Sequence, residues 1–116
     1  MPEEKTLFEK IISREIHTDI IFENERIIAF NDISPQAPIH ILIVPKKVII
    51  SLNYLTEEDT ELVGEMFLVA KKIAKSHGII DSGYRTIFNT NEDGGQTINH
   101  LHLHLLGGRA LTWPPG

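Results

Sequence analysis

The sequence contains no cysteine. This absence excludes disulfide bonds, thiolate ligands for a metal ion and a cysteine nucleophile, so any covalent catalysis must use another side chain. The chain also lacks an apolar run near the roughly 20 residues that a membrane-spanning helix needs. Its net charge of −5 argues against broad binding to nucleic acid or to an acidic membrane surface. A small anion held by a local site is compatible with this composition.

Length and composition indicate one globular domain. The chain has 116 residues, of which 41% are hydrophobic and 23% are charged, which suffices for one core and is too short for two ordinary domains. Residues 1–5 are charged and carry no apolar stretch, so we expect no secretory signal and a cytoplasmic protein. We therefore predict a single domain over residues 1–116.

The apolar pattern predicts two helices and about five strands. Thr6 and Glu9 fit a capping box at the start of a short helix over 6–12, and a long helix runs from Thr56 to a stop at Gly78. The predicted strands cover 20–23, 26–30, 40–45, 84–89 and 100–104. Together they indicate an α+β domain on a mostly antiparallel five-stranded sheet, with both helices on one face. The long helix has an apolar arc wider than one sheet contact needs, which fits either a well-buried helix or a contact with a second subunit.

Three of the six histidines alternate with leucines in one run. In an extended segment, His100, His102 and His104 would share one face, about 6.6 Å apart along the chain from one ring to the next. Leu101 and Leu103 would then point to the opposite face and enter the core. This run therefore predicts a strand that is buried on one side and carries chemistry on the other.

A metal site is one interpretation of the histidine run, because zinc accepts imidazole ligands. However, rings spaced by about 6.6 Å along a strand would have to converge strongly to reach zinc at about 2.0–2.1 Å. The sequence shows no nearby carboxylate to support such ligands. A third interpretation, that some of these histidines are ordinary polar surface residues, is weaker for three in register than for one alone.

Phosphorus chemistry is the interpretation that we favour. A neutral imidazole can attack phosphorus without a neighbouring base, and His102 lies between two histidines that could donate hydrogen bonds to phosphoryl oxygens. A glycine-containing loop over 91–97 precedes the run and could present N–H groups to an anion, and a second glycine pair over 107–108 follows it. His40 opens an apolar strand and by spacing alone could be a core or edge residue. His17 and His77 receive no function.

These residues belong to a pattern that resembles the histidine triad nucleotide-binding proteins, in particular the Hint branch of purine nucleoside phosphoramidases. The matching segments are 30–40 (FNDISPQAPIH), 44–47 (VPKK), 94–96 (GGQ), 100–109 (HLHLHLLGGR) and 113–116 (WPPG). Each segment alone is a weak signal, whereas the ordered set is specific and spans nearly the whole chain. The resemblance implies a histidine triad fold, with residues 109–116 as a C-terminal tail.

The resemblance also implies a function. It predicts a homodimer that hydrolyses the P–N bond of adenosine or guanosine 5′-phosphoramidates, and also aminoacyl adenylates, without a metal or cofactor. His102 would be the nucleophile, His40 would hydrogen-bond into the cluster, and His100 and His104 would steady the phosphate and the ring of His102. The implied substrate-binding residues are Asp32 at the ribose, Phe30, Ile33 and Ile43 at the base, Asn89, Gly95, Gln96 and Thr97 at the phosphate and leaving group, and Trp113 at the neighbouring subunit's site.

Two other functions stay open at this stage. One is a nucleotide-binding regulatory or adaptor protein with incidental catalysis, and the other is a dinucleoside polyphosphate hydrolase of a sister branch. Three residues depart from the family's usual pattern: Asn99 replaces an aromatic or apolar residue, Thr97 replaces serine, and Asn31 replaces a basic residue or histidine. None of these departures removes a catalytic group.

Overall fold

A computed structural model describes residues 5–116. Its five strands are β1 (Ile20–Glu23), β2 (Ile27–Asn31), β3 (Ile39–Pro45), β4 (Tyr84–Ile87) and β5 (Leu103–Gly107). They form one antiparallel sheet in the order β1-β2-β3-β5-β4. The helices are α1 (Leu7–Ile12) and α2 (Thr60–Ser76), and two short 3-10 helices cover Leu52–Tyr54 and Glu57–Asp59. The predicted α+β class, with five strands, one short helix and one long helix, is confirmed.

The expectation of no secretory signal rests mostly on residues 1–4, which lie outside the described residues. Within residues 5–116, no helix has the length and apolar character needed to cross a membrane.

The two helices pack on opposite faces of the sheet. Leu42 and Val44 of β3 pack with Phe8 of α1, whereas Ile41 and Ile43 belong to the core beneath α2. The prediction that both helices cover one face is therefore wrong. Alternate residues of β3 point to opposite faces, and both sets are apolar, so each face must be covered to exclude water.

The long helix starts later than the sequence predicts. A 3-10 turn over Glu57–Asp59 comes first, and the α-helix begins at Thr60. Asp59 is buried, and its carboxylate accepts hydrogen bonds from the Thr56 N–H at 3.0 Å and from Lys47 Nζ at 2.7 Å. The acidic cap therefore fixes the turn that leads into the helix. Gly78, with a φ of +73°, follows the helix end as predicted.

The apolar arc of α2 is only partly covered. Met66 and Ile73 are buried against the sheet. Phe67 and Leu68, by contrast, are 43% and 67% exposed. The helix thus fills the core with one stripe and leaves large apolar side chains at the surface.

Candidate active site

The histidine run is only partly a strand. β5 begins at Leu103, so His100 and His102 precede it in irregular backbone. The Leu101 N–H donates to the carbonyl of Ile49 at 2.6 Å, which takes this part of the run out of the β3–β5 ladder. The leucines nevertheless enter the core beneath α2, as predicted. The ring centroids of His102 and His104 lie 4.9 Å apart.

His100 is fully buried and anchors the run. Its Nε2 donates to the carbonyl oxygen of Pro45 at 2.8 Å. Its Nδ1 is buried with no hydrogen-bond partner among the described residues. Burial lowers the pKa of His100, so the ring is neutral near pH 7. The full burial of His100 therefore speaks against the expectation that it donates to a phosphate, and the same role for His104 stays a prediction.

His102 carries a free nitrogen lone pair. Its Nδ1 lies 2.6 Å from the carbonyl oxygen of His100. A carbonyl only accepts, so Nδ1 must hold the proton of the neutral ring, and Nε2 is left unprotonated. Burial lowers the pKa of His102, which keeps the ring in this nucleophilic form at neutral pH. The backbone thus selects the reactive nitrogen.

A second chain of hydrogen bonds fixes the protons of His40 and His104. The Gln36 N–H donates to Nδ1 of His40 at 3.0 Å, so the proton of the His40 ring sits on Nε2. That Nε2 lies 2.9 Å from Nδ1 of His104, which must accept and therefore holds its own proton on Nε2. Burial, together with the nearby His102 and His40, lowers the pKa of His104 to about 4. Burial also lowers the pKa of His40.

His102 and His104 border a cleft of about 210 Å³. Asp32 lies on its wall, with Oδ1 fixed by the Ser34 N–H at 2.8 Å and Oδ2 at 3.4 Å from Nε2 of His40. Of the remaining predicted site residues, the cleft is lined by Phe30, Ile33, Thr97, His102 and His104. Segments that are distant in the sequence therefore converge on one cleft, which is lined by a carboxylate, imidazoles and apolar side chains.

Ile43 does not line the cleft. It is fully buried on the opposite face of the sheet, beneath α2. Leu42 takes the wall position that the family resemblance gave to Ile43. Side chains in β3 alternate in direction, so the residue on the His40 face is two positions away, not three. Strand parity alone would have identified Leu42.

The short helix α1 is a part of the site that sequence reasoning missed. The Phe8 ring meets the rings of His102 and Phe30 edge to face, at centroid distances of 4.9 and 5.6 Å. Leu7 and Ile11 also line the cleft. The capping box of α1 was visible in the sequence, but nothing there showed which sheet face the helix would cover.

The glycine loop holds its own shape with the groups that were predicted to bind an anion. The N–H groups of Gly95 and Gln96 donate to the carbonyls of Glu92 and Asn91. The Gln96 side chain accepts from the Asn91 N–H and donates to the carbonyls of Ile50 and Ile98. Gln96 therefore braces the loop, and within 91–97 only Thr97 lines the cleft.

Asn89 and Trp113 lie toward the C-terminal tail. The Asn89 amide lies 3.5 Å from Nε2 of His104. Because this Nε2 carries the ring proton, the amide accepts from it through its oxygen, which a flip of the side chain brings to this position. Trp113 is 81% exposed, and with Asn89 it lines a separate groove of about 510 Å³. The second glycine pair does not line the cleft. A side chain at Gly108 would instead meet the ring of Pro38 at 2.9 Å.

Asp32, His40 and His104 form the one cluster among the described residues whose donor atoms could surround a metal ion, all within 4.8 Å. Binding through Nε2 of His40 would move the ring proton to Nδ1. That proton would then face the Gln36 N–H across 3.0 Å, placing two donors against each other. The local backbone therefore opposes metal binding here.

Comparisons with known proteins assign the chain to the hydrolases. Residues 5–111 match the family described as scavenger mRNA decapping enzyme C-term binding. A purine nucleoside phosphoramidase of Escherichia coli K12 is 52% identical over 108 residues, covering 93% of this chain and 91% of that protein. A HIT family hydrolase from Legionella pneumophila Philadelphia 1 has a TM-score of 0.94 and 50% identity, covering 97% of this chain and 100% of its own. A histidine triad nucleotide-binding protein from Candida albicans has a TM-score of 0.80 and 28% identity, covering 95% and 83%.

The chain belongs to the histidine triad (HIT) family. The family resemblance read from the sequence and the expected fold are both confirmed.

Proposed function

We propose that this protein is a purine nucleoside phosphoramidase that hydrolyses the P–N bond of adenosine or guanosine 5′-phosphoramidates, with aminoacyl adenylates as a second substrate class. The observation that carries the proposal is the unprotonated Nε2 of His102, selected by the His100 carbonyl, on the wall of a cleft with an apolar side and a carboxylate. The 52% identity to the Escherichia coli phosphoramidase supports the same reaction.

The reaction has two displacements at phosphorus. Nε2 of His102 forms a bond to phosphorus while the bond to the leaving nitrogen breaks, and that nitrogen takes a proton from solvent and departs as the free amine. Water then attacks phosphorus and breaks the P–Nε2 bond, which yields the nucleoside monophosphate, neutral His102 and one proton that returns to solvent. The carbonyl of His100 accepts from Nδ1–H throughout and stabilises the positive charge that develops on the nucleotidyl-imidazole ring.

The apolar side of the cleft suits a purine base. Phe8, Phe30, Ile33 and Leu42 provide rings and branched side chains for stacking and packing. Asp32 is suited to the ribose, because a carboxylate can accept hydrogen bonds from two vicinal hydroxyls. The Ser34 N–H already orients this carboxylate.

The polar side suits the phosphate and the leaving group. Nε2–H of His104, fixed by the link to His40, can donate to a phosphoryl oxygen, and the Thr97 hydroxyl lies on the same cleft. Asn89 extends this wall from His104 toward the tail. Gly95 and Gln96 act indirectly, by holding the loop that positions Thr97.

We further propose that the protein is a homodimer, and that Trp113 of the tail over 109–116 serves the site of the neighbouring subunit. The exposed Phe67 and Leu68 of α2 and the 81% exposure of Trp113 support this arrangement. Sedimentation of the full chain should give the mass of two chains, and Leu68→Glu should shift it toward one. A monomer for the unaltered chain would overturn the proposal. The single domain over 1–116 and the cytoplasmic location stay predictions.

Replacement of the proposed nucleophile tests the function. We expect His102→Ala to abolish hydrolysis of an adenosine phosphoramidate while AMP still binds, because the base and ribose contacts are unchanged. His77→Ala, a change at the distant end of α2, is the control and should retain full activity. Turnover by His102→Ala at the unaltered rate would rule out His102 as the nucleophile, and absence of turnover by the unaltered protein would rule out the function.

A further inference from the structure

We infer that Arg109 is a positioning residue for the site, acting through Gln36 to fix the ring protons of His40 and His104. The inference goes beyond the proposed function in naming a residue outside the cleft, and it rests on that function for its catalytic consequence.

A continuous series of contacts joins Arg109 to the cleft. One amino group of its guanidinium donates to the carbonyl of Gln36 at 3.0 Å, and another donates to the carbonyl of Ala110 at 3.0 Å. The N–H of the same Gln36 donates to Nδ1 of His40 at 3.0 Å. His40 Nε2 then meets His104 Nδ1 at 2.9 Å. Arg109 therefore holds Gln36 in place, and the N–H of Gln36 determines which nitrogen of His40 carries the ring proton.

Few other N–H groups in this loop could donate to Nδ1 of His40. Pro35 and Pro38 flank it in the same loop, and proline has no N–H to donate. The loop is braced from the same side by Gly108, whose φ of +88° brings its backbone against the ring of Pro38. The segment after β5 thus holds the loop at Pro38 by packing and at Gln36 by a charged hydrogen bond.

Loss of the hydrogen bond between Arg109 and Gln36 has a defined chemical consequence. If the Gln36 N–H moves away, Nδ1 of His40 can carry the ring proton and Nε2 becomes an acceptor. His104 would then donate from Nδ1 to His40, and its Nε2 would lose the proton that the proposed reaction directs to the phosphate. The nucleophile would be intact, but one donor to the transition state would be missing.

The test combines NMR with kinetics on the full chain. Long-range ¹H–¹⁵N spectra of the imidazole nitrogens report which nitrogen of His40 and of His104 carries the proton. These spectra and kcat and KM with an adenosine phosphoramidate are measured for the unaltered protein, Arg109→Ala and Arg109→Lys. Arg26→Ala is the control, because Arg26 pairs with Glu65 of α2 away from the cleft. Arg109 is exposed, so neither substitution disturbs the core.

We expect the unaltered protein and Arg26→Ala to show His40 and His104 protonated on Nε2. Arg109→Ala should show a mixture of tautomers and lower kcat by up to about tenfold with little change in KM, because only the molecules that keep the Nε2 proton of His104 retain this donor to the transition state, and one tenth of them gives about one tenth of the rate. Arg109→Lys should restore part of both properties. Unchanged tautomers and kcat in Arg109→Ala would overturn the inference while leaving the function standing. If the unaltered protein has no turnover, the function fails, and the NMR spectra still decide the role of Arg109.

Discussion

The peptide backbone fixes where each histidine of the site carries its proton. Carbonyls of Pro45 and His100 accept from His100 and His102, and the Gln36 N–H donates to His40. A backbone carbonyl only accepts a hydrogen bond and a backbone N–H only donates one, so each ring has one neutral tautomer. His102 consequently presents Nε2 as a base, while His104 presents Nε2–H as a donor. Similar residues in one motif thus acquire opposite roles.

The burial of His102 determines how the reaction depends on pH. The pKa of His102 is lowered from its ordinary value of 6.5, chiefly by burial. Its nucleophilic form should therefore persist below pH 6.5, and kcat/KM should fall only when the pH drops through the lowered pKa of the free enzyme. A kcat/KM profile from acid to neutral pH checks this expectation. An acidic limb centred above pH 6.5 would contradict it.

Adjacent residues of β3 offer a second test. We expect Leu42→Ala to raise KM for the nucleotide, because Leu42 lines the cleft, and Ile43→Ala to leave KM unchanged. Both should lower the free energy of unfolding, by about 2–5 kcal/mol for a buried Leu or Ile. Denaturant unfolding and steady-state kinetics separate the two effects. A larger change in KM for Ile43→Ala than for Leu42→Ala would show that the base does not bind on the face of β3 that carries Leu42.

For individual residues, the sequence indicated which side chains carry the chemistry, but it did not indicate how they are placed. The alternation of His100, His102 and His104 indicated a shared site, but it gave all three equal access to a ligand. His100 is buried because its Nε2 reaches the Pro45 carbonyl, a contact that depends on how the end of β3 meets the run. Hydrogen bonds to backbone atoms of distant segments leave no residue-type signal, so Gln36 was equally invisible as a partner of His40.

Among the secondary-structure elements, α1 is the one whose role exceeds its size. It has six residues, too few for a stable isolated helix. It is held by the capping box of Thr6 and Glu9 and by Phe8, which packs against Phe30 and His102. The helix therefore closes one side of the cleft, and its stability is tied to the site.

Loss of the α1 cap should affect both folding and substrate binding. Thr6→Ala removes the hydroxyl that accepts from the Glu9 N–H, which should cost about 1 kcal/mol of unfolding free energy. KM for the nucleotide should also rise, because Phe8 loses its fixed position. Thr56→Ala, at the turn before α2, is the matched control and should leave KM unchanged. Equal KM values for both variants would show that α1 is not part of the binding site.

The capping box and the apolar spacing located α1 in the sequence, and the long helix and most strand bounds followed in the same way. The sheet face that each helix covers did not follow, because a two-faced apolar strand such as β3 accepts a helix on either side. The strand predicted over 100–104 lies three residues later, at Leu103–Gly107, since the alternation begins at His100 although the Leu101 N–H pairs with Ile49 outside the ladder.

In the molecule as a whole, the cluster of neutral histidines links stability to pH. Burial lowers the pKa of His40, His100 and His102, and it lowers that of His104 to about 4. The unfolded chain therefore binds more protons than the folded chain between the lowered values and the ordinary value of 6.5. Stability is fully present above this window and is lost as the pH falls through it.

Thermal unfolding should follow this sign. We expect Tm to fall as the pH is lowered from 7 toward 4, with a shallower fall in His104→Asn, which removes one titrating ring. His17→Asn, at an exposed position, should keep the slope of the unaltered protein. A Tm that is independent of pH over this range would contradict the neutral state assigned to the buried histidines.

In the proposed reaction His102 forms a covalent bond to the phosphorus of a nucleotide, and rapid quenching without acid, followed by peptide mass spectrometry, detects this bond. During turnover of an adenosine phosphoramidate, we expect one adenylyl group on the peptide that contains His102, located on that residue by fragmentation and absent from His102→Ala. An adenylyl group on His40 or His104, or turnover at full rate in His102→Ala, would rule out His102 as the nucleophile.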